Sequence, residues 1–176
     1  MDNRGPIARS ILDLSILNEG QTSGEALQTT STLARRADEL GYARFWVAEH
    51  HNMPSVACTS PAVLIAHLAA ITSSMRIGSG GVMLPNHSPL VIAEQFAMLE
   101  SLHPARIDLG IGRAPGTDQR TAAVLRRASD SFEEDDFPRD FLDVMGLLGQ
   151  ARTADGLWKQ LAATPVPVSS PAVFLL

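Results

Sequence analysis

Short apolar runs alternate with longer amphipathic segments along this chain. The runs fit β-strands, because they are rich in branched apolar and aromatic residues and are bounded by polar or glycine-rich turns. They cover residues 10–17, 44–50, 75–84, 106–112 and 172–176. Between them, apolar side chains recur at the three-to-four-residue spacing of a helix. Strands that alternate with helices predict a parallel sheet with helices packed on it.

Local signals place the helix boundaries. Thr22 and Glu25 have the spacing of a capping box, and Gly41 is a typical helix stop. Two more helices are expected to begin at the Ser-Pro pairs of residues 60–61 and 88–89, with serine as N-cap and proline at the first helical position.

The signals weaken beyond the fourth apolar run. Thr117 is expected to cap a fourth helix that ends near Arg127. A further amphipathic segment begins at Phe137, and Gly149 is expected to stop it. Residues 150–172 are rich in Ala, Pro, Ser and Thr and are interpreted as a loop.

Two architectures fit this order of elements. A five-stranded doubly wound sheet suits the length of 176 residues, whereas a complete (β/α)₈ barrel normally needs about 250 residues. Length alone therefore favours the doubly wound sheet over the opening half of a barrel. In either case residues 1–176 are interpreted as one domain.

The composition limits the expected partners and cellular location of this domain. A net charge of −5 and a pI near 5.4 argue against nucleic acid as a partner. No apolar run reaches the length of a membrane span and the chain does not open with a secretory signal, so a cytoplasmic location is expected. A single cysteine, Cys58, excludes an internal disulfide.

Candidate chemistry collects where the predicted strands end. Residues 49–51 end the second strand, residues 78–81 lie in the third, and residues 112–116 follow the fourth. In both architectures, ligands bind at the carboxyl ends of parallel strands. We therefore expect these three groups to share one face of the domain.

Alternation along a strand separates the members of Glu49-His50-His51. The side chains of Glu49 and His51 should share one side, and that of His50 the other. Imidazoles exchange protons near neutral pH and a carboxylate can hold their tautomer, although an ordinary strand end with satisfied histidines is the alternative. No metal site is predicted, because adjacent histidines rarely bind one ion and no third ligand lies at a diagnostic spacing.

Glycine and arginine at the next two strand ends suggest contacts with a ligand. Adjacent Gly80 and Gly81 inside a strand suit the close approach of a flat ligand, or a bulge. Arg113 lies in a Gly/Pro loop just before a helix. A guanidinium and a helix N-terminus can bind a phosphate there, unless Arg113 is simply a surface residue.

Taken together, these stretches resemble the bacterial luciferase-like, flavin-dependent monooxygenases. The similarity is carried by "LDLSIL", "GYARFWVAEHHNMP", "IGSGGVMLPNHSPLVIAEQFAMLESLHPARIDLGIGRAPGTD" and "VFLL". It runs from near the start to about residue 128, and residues 130–172 match loosely. The resemblance implies an α/β fold of the (β/α)₈ TIM-barrel type, truncated to about its first five strands.

The resemblance also implies a cofactor and catalytic residues. In this family FMN binds at the carboxyl face of the barrel, where reduced FMN reacts with O₂ at C4a and an organic substrate is oxygenated. By position, His50 matches the histidine beside the reactive flavin. Glu49 matches a carboxylate that sets the conformation of the pocket.

Other positions match the family's cofactor-binding residues. Gly80-Gly81, preceded by Ser79, matches the place where family members carry a non-proline cis peptide against the flavin ring. Arg113 matches a residue near the FMN phosphate. Gly112 stands where some luciferases have a reactive cysteine, so no such thiol is expected here.

Partners follow from the same resemblance. A separate flavin reductase would supply reduced FMN. The second and third helices often form the family's dimer interface, which implies a homo-oligomer through residues 61–72 and 89–102.

Three alternatives stay open. Related barrels use the deazaflavin F420 for hydride transfer in place of FMN. A half-barrel can also act only as an association module, because its first strand and residues 172–176 are unpaired apolar edges. A flavodoxin-like domain would instead bind cofactor phosphate at residues 18–25, which follow the first strand, and not near Arg113.

Overall fold

Five parallel strands form one sheet whose strand order follows the chain. The computed structural model describes residues 7–125, 136–150 and 161–176. The strands are β1 (Ser10–Asp13), β2 (Arg44–Val47), β3 (Arg76–Met83), β4 (Ile107–Gly112) and β5 (Ala172–Leu175). The helices are α1 (Ser23–Glu39), α2 (Pro61–Ala70), α3 (Pro89–Leu102), α4 (Gln119–Leu125) and α5 (Asp136–Leu147), with a 3₁₀ turn at Leu84–Asn86. Each predicted strand is present, although β1 and β2 end three to four residues early because the chain turns into loops there.

The strand order decides between the two architectures. A doubly wound sheet reverses its order at a switch point, whereas β1 to β5 are neighbours in sequence order and all pair in parallel. Sequential parallel order is the arrangement of a (β/α)₈ barrel. The preference drawn from length is therefore wrong, because length cannot tell a small domain from part of a larger one. In the described sheet, β1 and β5 each have one neighbouring strand.

Alternation gives the sheet a helix-covered outer face and an inner face. Phe45 and Leu109 point outward and are completely buried in the main hydrophobic cluster with residues of the helices. Leu12, Trp46 and Phe174 lie on the inner face, where Leu12 is 55% exposed. The rings of Trp46 and Phe174 meet edge to face with centroids 5.0 Å apart. These three side chains give the inner face an apolar, partly open region.

Near the amino ends of the strands, Asp108 links three neighbours across the inner face. Its carboxylate is completely buried. Oδ1 accepts a hydrogen bond from Nε of Arg76 at 2.6 Å. Oδ2 accepts from Nε of Arg44 at 3.0 Å and from the indole N–H of Trp46 at 2.9 Å. A buried carboxylate requires this compensation, so the network fixes β2, β3 and β4 together at the end remote from their carboxyl termini.

The cap of α1 forms as predicted. The amide of Glu25 donates to Oγ1 of Thr22 at 3.3 Å, and the amide of Thr22 donates to Oε2 of Glu25 at 2.8 Å. Gly41 follows the helix with φ +74°, a left-handed conformation that glycine adopts readily. This capping box is therefore confirmed.

The other caps differ in detail. Ser60 and Ser88 precede α2 and α3 as predicted, but their side chains make no capping hydrogen bond. At α4 the cap is Asp118 and not Thr117, because the carboxylate of Asp118 accepts the amide of Arg120 at 2.9 Å. The predicted end of α4 near residue 127, and residues 151–160 of the predicted loop, lie outside the described residues. None of the described helices has the length and apolarity needed to cross a membrane.

Candidate functional site

Glu49 is the centre of a hydrogen-bond cluster at the carboxyl ends of β2 and β3. Its side chain is completely buried. Oε1 lies 2.7 Å from Nε2 of His51 and 2.8 Å from Nε2 of His87. Oε2 accepts the amide of Met83 at 3.0 Å. The side chains of Glu49 and His51 meet as predicted, but they do so in the loop after β2, where strand alternation no longer applies.

Glu49 carries its negative charge despite this burial. Removal from water raises the pKa of the carboxyl group. The hydrogen bond and electrostatic attraction of His87, together with the hydrogen bonds from His51 and Met83, outweigh that effect, and the net pKa is lowered. Because an ionised carboxylate only accepts hydrogen bonds, both imidazole Nε2 atoms act as donors.

The cluster extends to the loop after β4. Nδ2 of Asn86 donates to the carbonyl oxygen of Pro115 at 2.8 Å. The amide of His51 donates to the carbonyl of Gly116 at 3.3 Å, and the hydroxyl of Thr117 donates to the carbonyl of His51 at 2.8 Å. The segments that follow β2, β3 and β4 are therefore tied together, and residues 49–51 lie against residues 112–116.

His50 does not join this cluster. Its backbone amide donates to the carbonyl of Cys58 at 3.2 Å. Its ring atom Nδ1 is buried and has no hydrogen-bond partner in the described parts of the chain. A buried polar atom without a hydrogen-bond partner costs free energy. A ligand that formed a hydrogen bond with Nδ1 would remove that cost.

Gly80 and Gly81 are adjacent residues of β3 that present backbone without side chains. The peptide bond between them is cis, as the family resemblance implies. A Cβ added at Gly80 would lie 2.8 Å from Cδ1 of Leu12 and 3.0 Å from Cε3 of Trp46. A Cβ added at Gly81 would lie 2.9 Å from the carbonyl oxygen of Gly110. Only glycine fits at these positions without displacing a neighbour, and the surface around them is apolar.

Ser79 and Gly112 serve the packing of the sheet. Ser79 is completely buried, and its Oγ donates to the carbonyl of Gly110 at 2.9 Å and accepts the amide of Gly110 at 3.0 Å. These bonds lie where the pairing of β3 and β4 changes register. A Cβ at Gly112 would lie 2.7 Å from Sδ of Met83. The Ser79 hydroxyl is thus engaged within the sheet, and its assignment to the cofactor site stays a prediction.

Arg113 is exposed, and its guanidinium lies 5.6 Å from the ring centroid of Phe137. The carboxylate of Asp118 accepts the amides of Arg120 and Thr121 at the start of α4, and the pairing of the Arg113 guanidinium with this helix N-terminus stays a prediction. Residues 18–25 form a plain loop and helix cap, since Gln21 bonds Asn18 locally. That loop therefore offers no separate phosphate site of the flavodoxin type.

Sequence reasoning does not single out Asn86 and His87, although both belong to the cluster around Glu49. The 3₁₀ turn Leu84–Asn86 follows β3 directly. Asn86 is its last residue, and His87 comes next. A polar pair at this distance from a strand's carboxyl end is the signal that would have identified them. Their partner, however, lies 38 positions away from His87, and only the fold reveals it.

Comparisons with known proteins agree with this geometry. The family model described as luciferase-like monooxygenase matches residues 10–174. A luciferase-like monooxygenase of Escherichia coli strain K12 is 55% identical over 139 residues, which cover 79% of this chain and 41% of that protein. N-acetyl-S-alkylcysteine monooxygenase of Bacillus subtilis strain 168 is 47% identical over 146 residues, covering 75% of this chain and 44% of that protein. The chain thus spans less than half the length of these curated relatives.

Solved structures show the same relationship. The structure of apo-MsnO8 superimposes with a TM-score of 0.86 at 40% identity, covering 97% of this chain and 49% of that one. Two more distant structures share the fold. The oxygenating constituent of 3,6-diketocamphane monooxygenase, in complex with FMN, has a TM-score of 0.75 at 16% identity and covers 96% and 51% of the two chains. An F420-dependent secondary alcohol dehydrogenase has a TM-score of 0.66 at 15% identity, with the same coverage.

Proposed function

This chain belongs to the luciferase-like monooxygenase family, and we propose that it carries the flavin-contacting part of an FMN-dependent monooxygenase. In the proposed reaction, one oxygen atom of O₂ enters a small organic substrate and the other leaves as water. Reduced FMN supplies the electrons for this reaction when it is bound, and a separate flavin reductase regenerates it.

The observation that carries the proposal is a buried imidazole nitrogen that has no hydrogen-bond partner among the described residues, at the end of a strand whose neighbour carries an apolar, glycine-backed surface. Nδ1 of His50 lies at the end of β2, and Gly80-Gly81 lie in the adjacent strand β3. A flavin ring has an apolar body and a polar edge. The Leu12–Trp46 surface fits the body, and Nδ1 of His50 offers a hydrogen bond to the edge.

Each residue of the site has a distinct proposed role. His50 holds or moves a proton at Nδ1, where a ring edge would lie. Glu49 is a positioning residue. It is buried, and its carboxylate holds His51, which follows His50, and the amide of Met83 at the end of β3. Arg113 is the exposed cation of the β4–α4 loop and is the proposed partner of the FMN phosphate.

A deazaflavin-dependent hydride transfer on the same fold is the second candidate. It is favoured by the likeness to the F420-dependent dehydrogenase, since F420 presents a similar tricyclic ring to the protein. FMN is preferred here because the curated relatives reported above are monooxygenases, and because the FMN complex superimposes more closely.

The outer faces of α2 and α3 are the proposed interface of a homo-oligomer, over residues 61–72 and 89–102. Between them lies an open cavity of about 550 Å³ lined mainly by apolar side chains. Val63 is 71% exposed and Leu102 is 63% exposed on this surface. A second copy of the chain would remove these side chains from water.

Titration of the purified 176-residue chain with FMN, reduced FMN and F420 tests the cofactor proposal. We expect saturable quenching of FMN fluorescence at one cofactor per chain. Gly80→Ala should weaken binding at least about 10-fold, because the new methyl group displaces Leu12 and Trp46 from the ring surface. The matched control is Gly24→Ala in α1, where an added Cβ meets nothing within 4 Å.

Three results would contradict the proposed cofactor or its proposed site. Equal binding by the Gly80→Ala and Gly24→Ala chains would place the flavin elsewhere. Preferential binding of F420 would select the hydride-transfer candidate. A folded dimer that binds neither cofactor would favour the association module, with circular dichroism confirming the fold in each case.

A further inference from the structure

We propose that Glu49, His51 and His87 form a binding site for a transition-metal ion such as Zn²⁺. One ligand atom from each residue lies within 4.8 Å of the other two. Two imidazole nitrogens and a carboxylate oxygen are donors that Zn²⁺ prefers. The chain itself positions this set, and the inference does not depend on which flavin the protein binds.

The carboxylate is prepared for coordination. Glu49 is completely buried, and its Oε2 is fixed by the amide of Met83 at 3.0 Å. Oε1 is left to face the two imidazoles. Metal-binding carboxylates commonly have their second oxygen held by such an outer hydrogen bond, which sets the direction of the first.

The histidines are held by their backbones and remain accessible. His51 is anchored by the carbonyl of Gly116 and the hydroxyl of Thr117. The amide of His87 donates to the carbonyl of Leu84 at 3.0 Å. The side chains of His51 and His87 are 17% and 28% exposed, so an ion can reach the cluster from solvent.

Asn86 borders the cluster. Its Nδ2 donates to the carbonyl oxygen of Pro115 at 2.8 Å and approaches Oε1 of Glu49 at 3.4 Å, which assigns the orientation of the amide. Because Nδ2 is the atom that faces Glu49, Oδ1 is directed away from it. Oδ1 is buried and lacks a hydrogen-bond partner in the described residues, so it is an acceptor available to a bound water.

A local rearrangement would convert this arrangement into a tetrahedral site. Zn–N and Zn–O bonds of about 2.0–2.2 Å place tetrahedral ligand atoms about 3.3 Å apart. The two contacts of 2.7 and 2.8 Å would open by about 0.5 Å, and rotation of the partly exposed imidazoles would bring their nitrogens, which lie within 4.8 Å of each other, to the same separation. The ion would take the place of the two imidazole protons between the rings and the carboxylate.

The test is a titration of the tag-free, metal-free chain with Co²⁺, a spectroscopic substitute for Zn²⁺. We expect the visible absorption of tetrahedral Co²⁺ at one ion per chain, and its loss when Zn²⁺ is added. His51→Gln and His87→Gln should each weaken binding more than about 10-fold. His103→Gln is the matched control, because His103 lies at the end of α3 outside the cluster.

A second measurement does not depend on whether the variants fold. X-ray absorption of the Zn²⁺-loaded wild-type chain counts the imidazole ligands directly. Two imidazoles with additional oxygen ligands support the site, and fewer than two overturn it. Binding that survives in both His51→Gln and His87→Gln overturns it as well.

Discussion

His87 and Glu49 are 38 positions apart in the chain, yet Nε2 of one lies 2.8 Å from Oε1 of the other. The contact joins the segment after β3 to the end of β2. Because the same carboxylate also bonds His51 and the amide of Met83, one buried charge organises the edge of the sheet where the flavin is proposed to bind.

Replacing Glu49 should therefore destabilise the chain. Glu49→Gln keeps the size of the side chain but removes the charge that accepts three hydrogen bonds, so we expect a loss of about 2–3 kcal/mol in the free energy of unfolding. Urea denaturation measures it. The control is Glu39→Gln, whose ion pair with Arg36 is 64% exposed on both sides and should matter little. Similar losses in the two variants would contradict the central role of Glu49.

Asp38 should make stability depend on acid. Burial raises the pKa of this carboxyl, but hydrogen bonds from the amides of Ser73, Met75 and Ser74 lower it to about 2, below the ordinary 3.8. A depressed pKa contributes stability above pH 3.8 that is lost as the pH falls towards 2.

Asp38→Asn tests this linkage. We expect a loss of about 1–2 kcal/mol in the free energy of unfolding at pH 7, since the loop between α2 and β3 loses a charged acceptor. The difference between wild type and variant should shrink between pH 4 and pH 2 in urea denaturation series. A difference that is constant over this range would show that the carboxylate charge is not responsible.

Asp108 should be the most sensitive charged residue on the inner face. Asp108→Asn removes the buried carboxylate that the partly exposed guanidinium groups of Arg44 and Arg76 share as counter-charge. We expect a loss of about 3–5 kcal/mol, measured by thermal and urea unfolding. Asp140→Asn is the control, because its partner Arg139 is 64% exposed. A loss below 1 kcal/mol for Asp108→Asn would mean that water solvates the guanidinium groups of Arg44 and Arg76 well enough to replace the carboxylate.

The proposed oligomer interface can be tested with two equally exposed side chains. Leu102 at the end of α3 and Val124 in α4 are each 63% exposed. Leu102→Asp places a charge on the α2–α3 surface and should shift the chain towards monomer, whereas Val124→Asp should not. Light scattering and sedimentation measure the distribution. An unchanged distribution in the Leu102→Asp chain would exclude this surface as the interface.

Cys58 should be inert in the native state. Burial raises the pKa of its thiol to about 12, and the carboxylates of Glu49 and Asp13 contribute in the same direction. We expect negligible reaction with a disulfide reagent at pH 8 and full reaction in urea, because only the thiolate is nucleophilic. Rapid labelling of the folded chain would show that the segment around Cys58 opens readily.

The sequence by itself determined the order of the elements and, for α1, α2 and α3, where each helix begins. The alternation of apolar runs, the Thr22–Glu25 capping box and the Ser-Pro pairs located the strands and helices, because these signals act over a few residues. It also predicted that the side chains of Glu49 and His51 lie on the same side of the chain. The family resemblance, carried by long ordered stretches, indicated the barrel against the expectation from length.

Only the tertiary structure decided which of these residues meet. Strand order follows from how helices pack on the sheet, and no local pattern encodes it. The cluster of Glu49 with His87, and the use of the Ser79 hydroxyl between two strands, require contacts over more than thirty positions. Asp118 replaces Thr117 as the cap of α4 because the Thr117 hydroxyl bonds the backbone of His51. Competition between a local cap and a distant partner is settled by the energy of the whole fold.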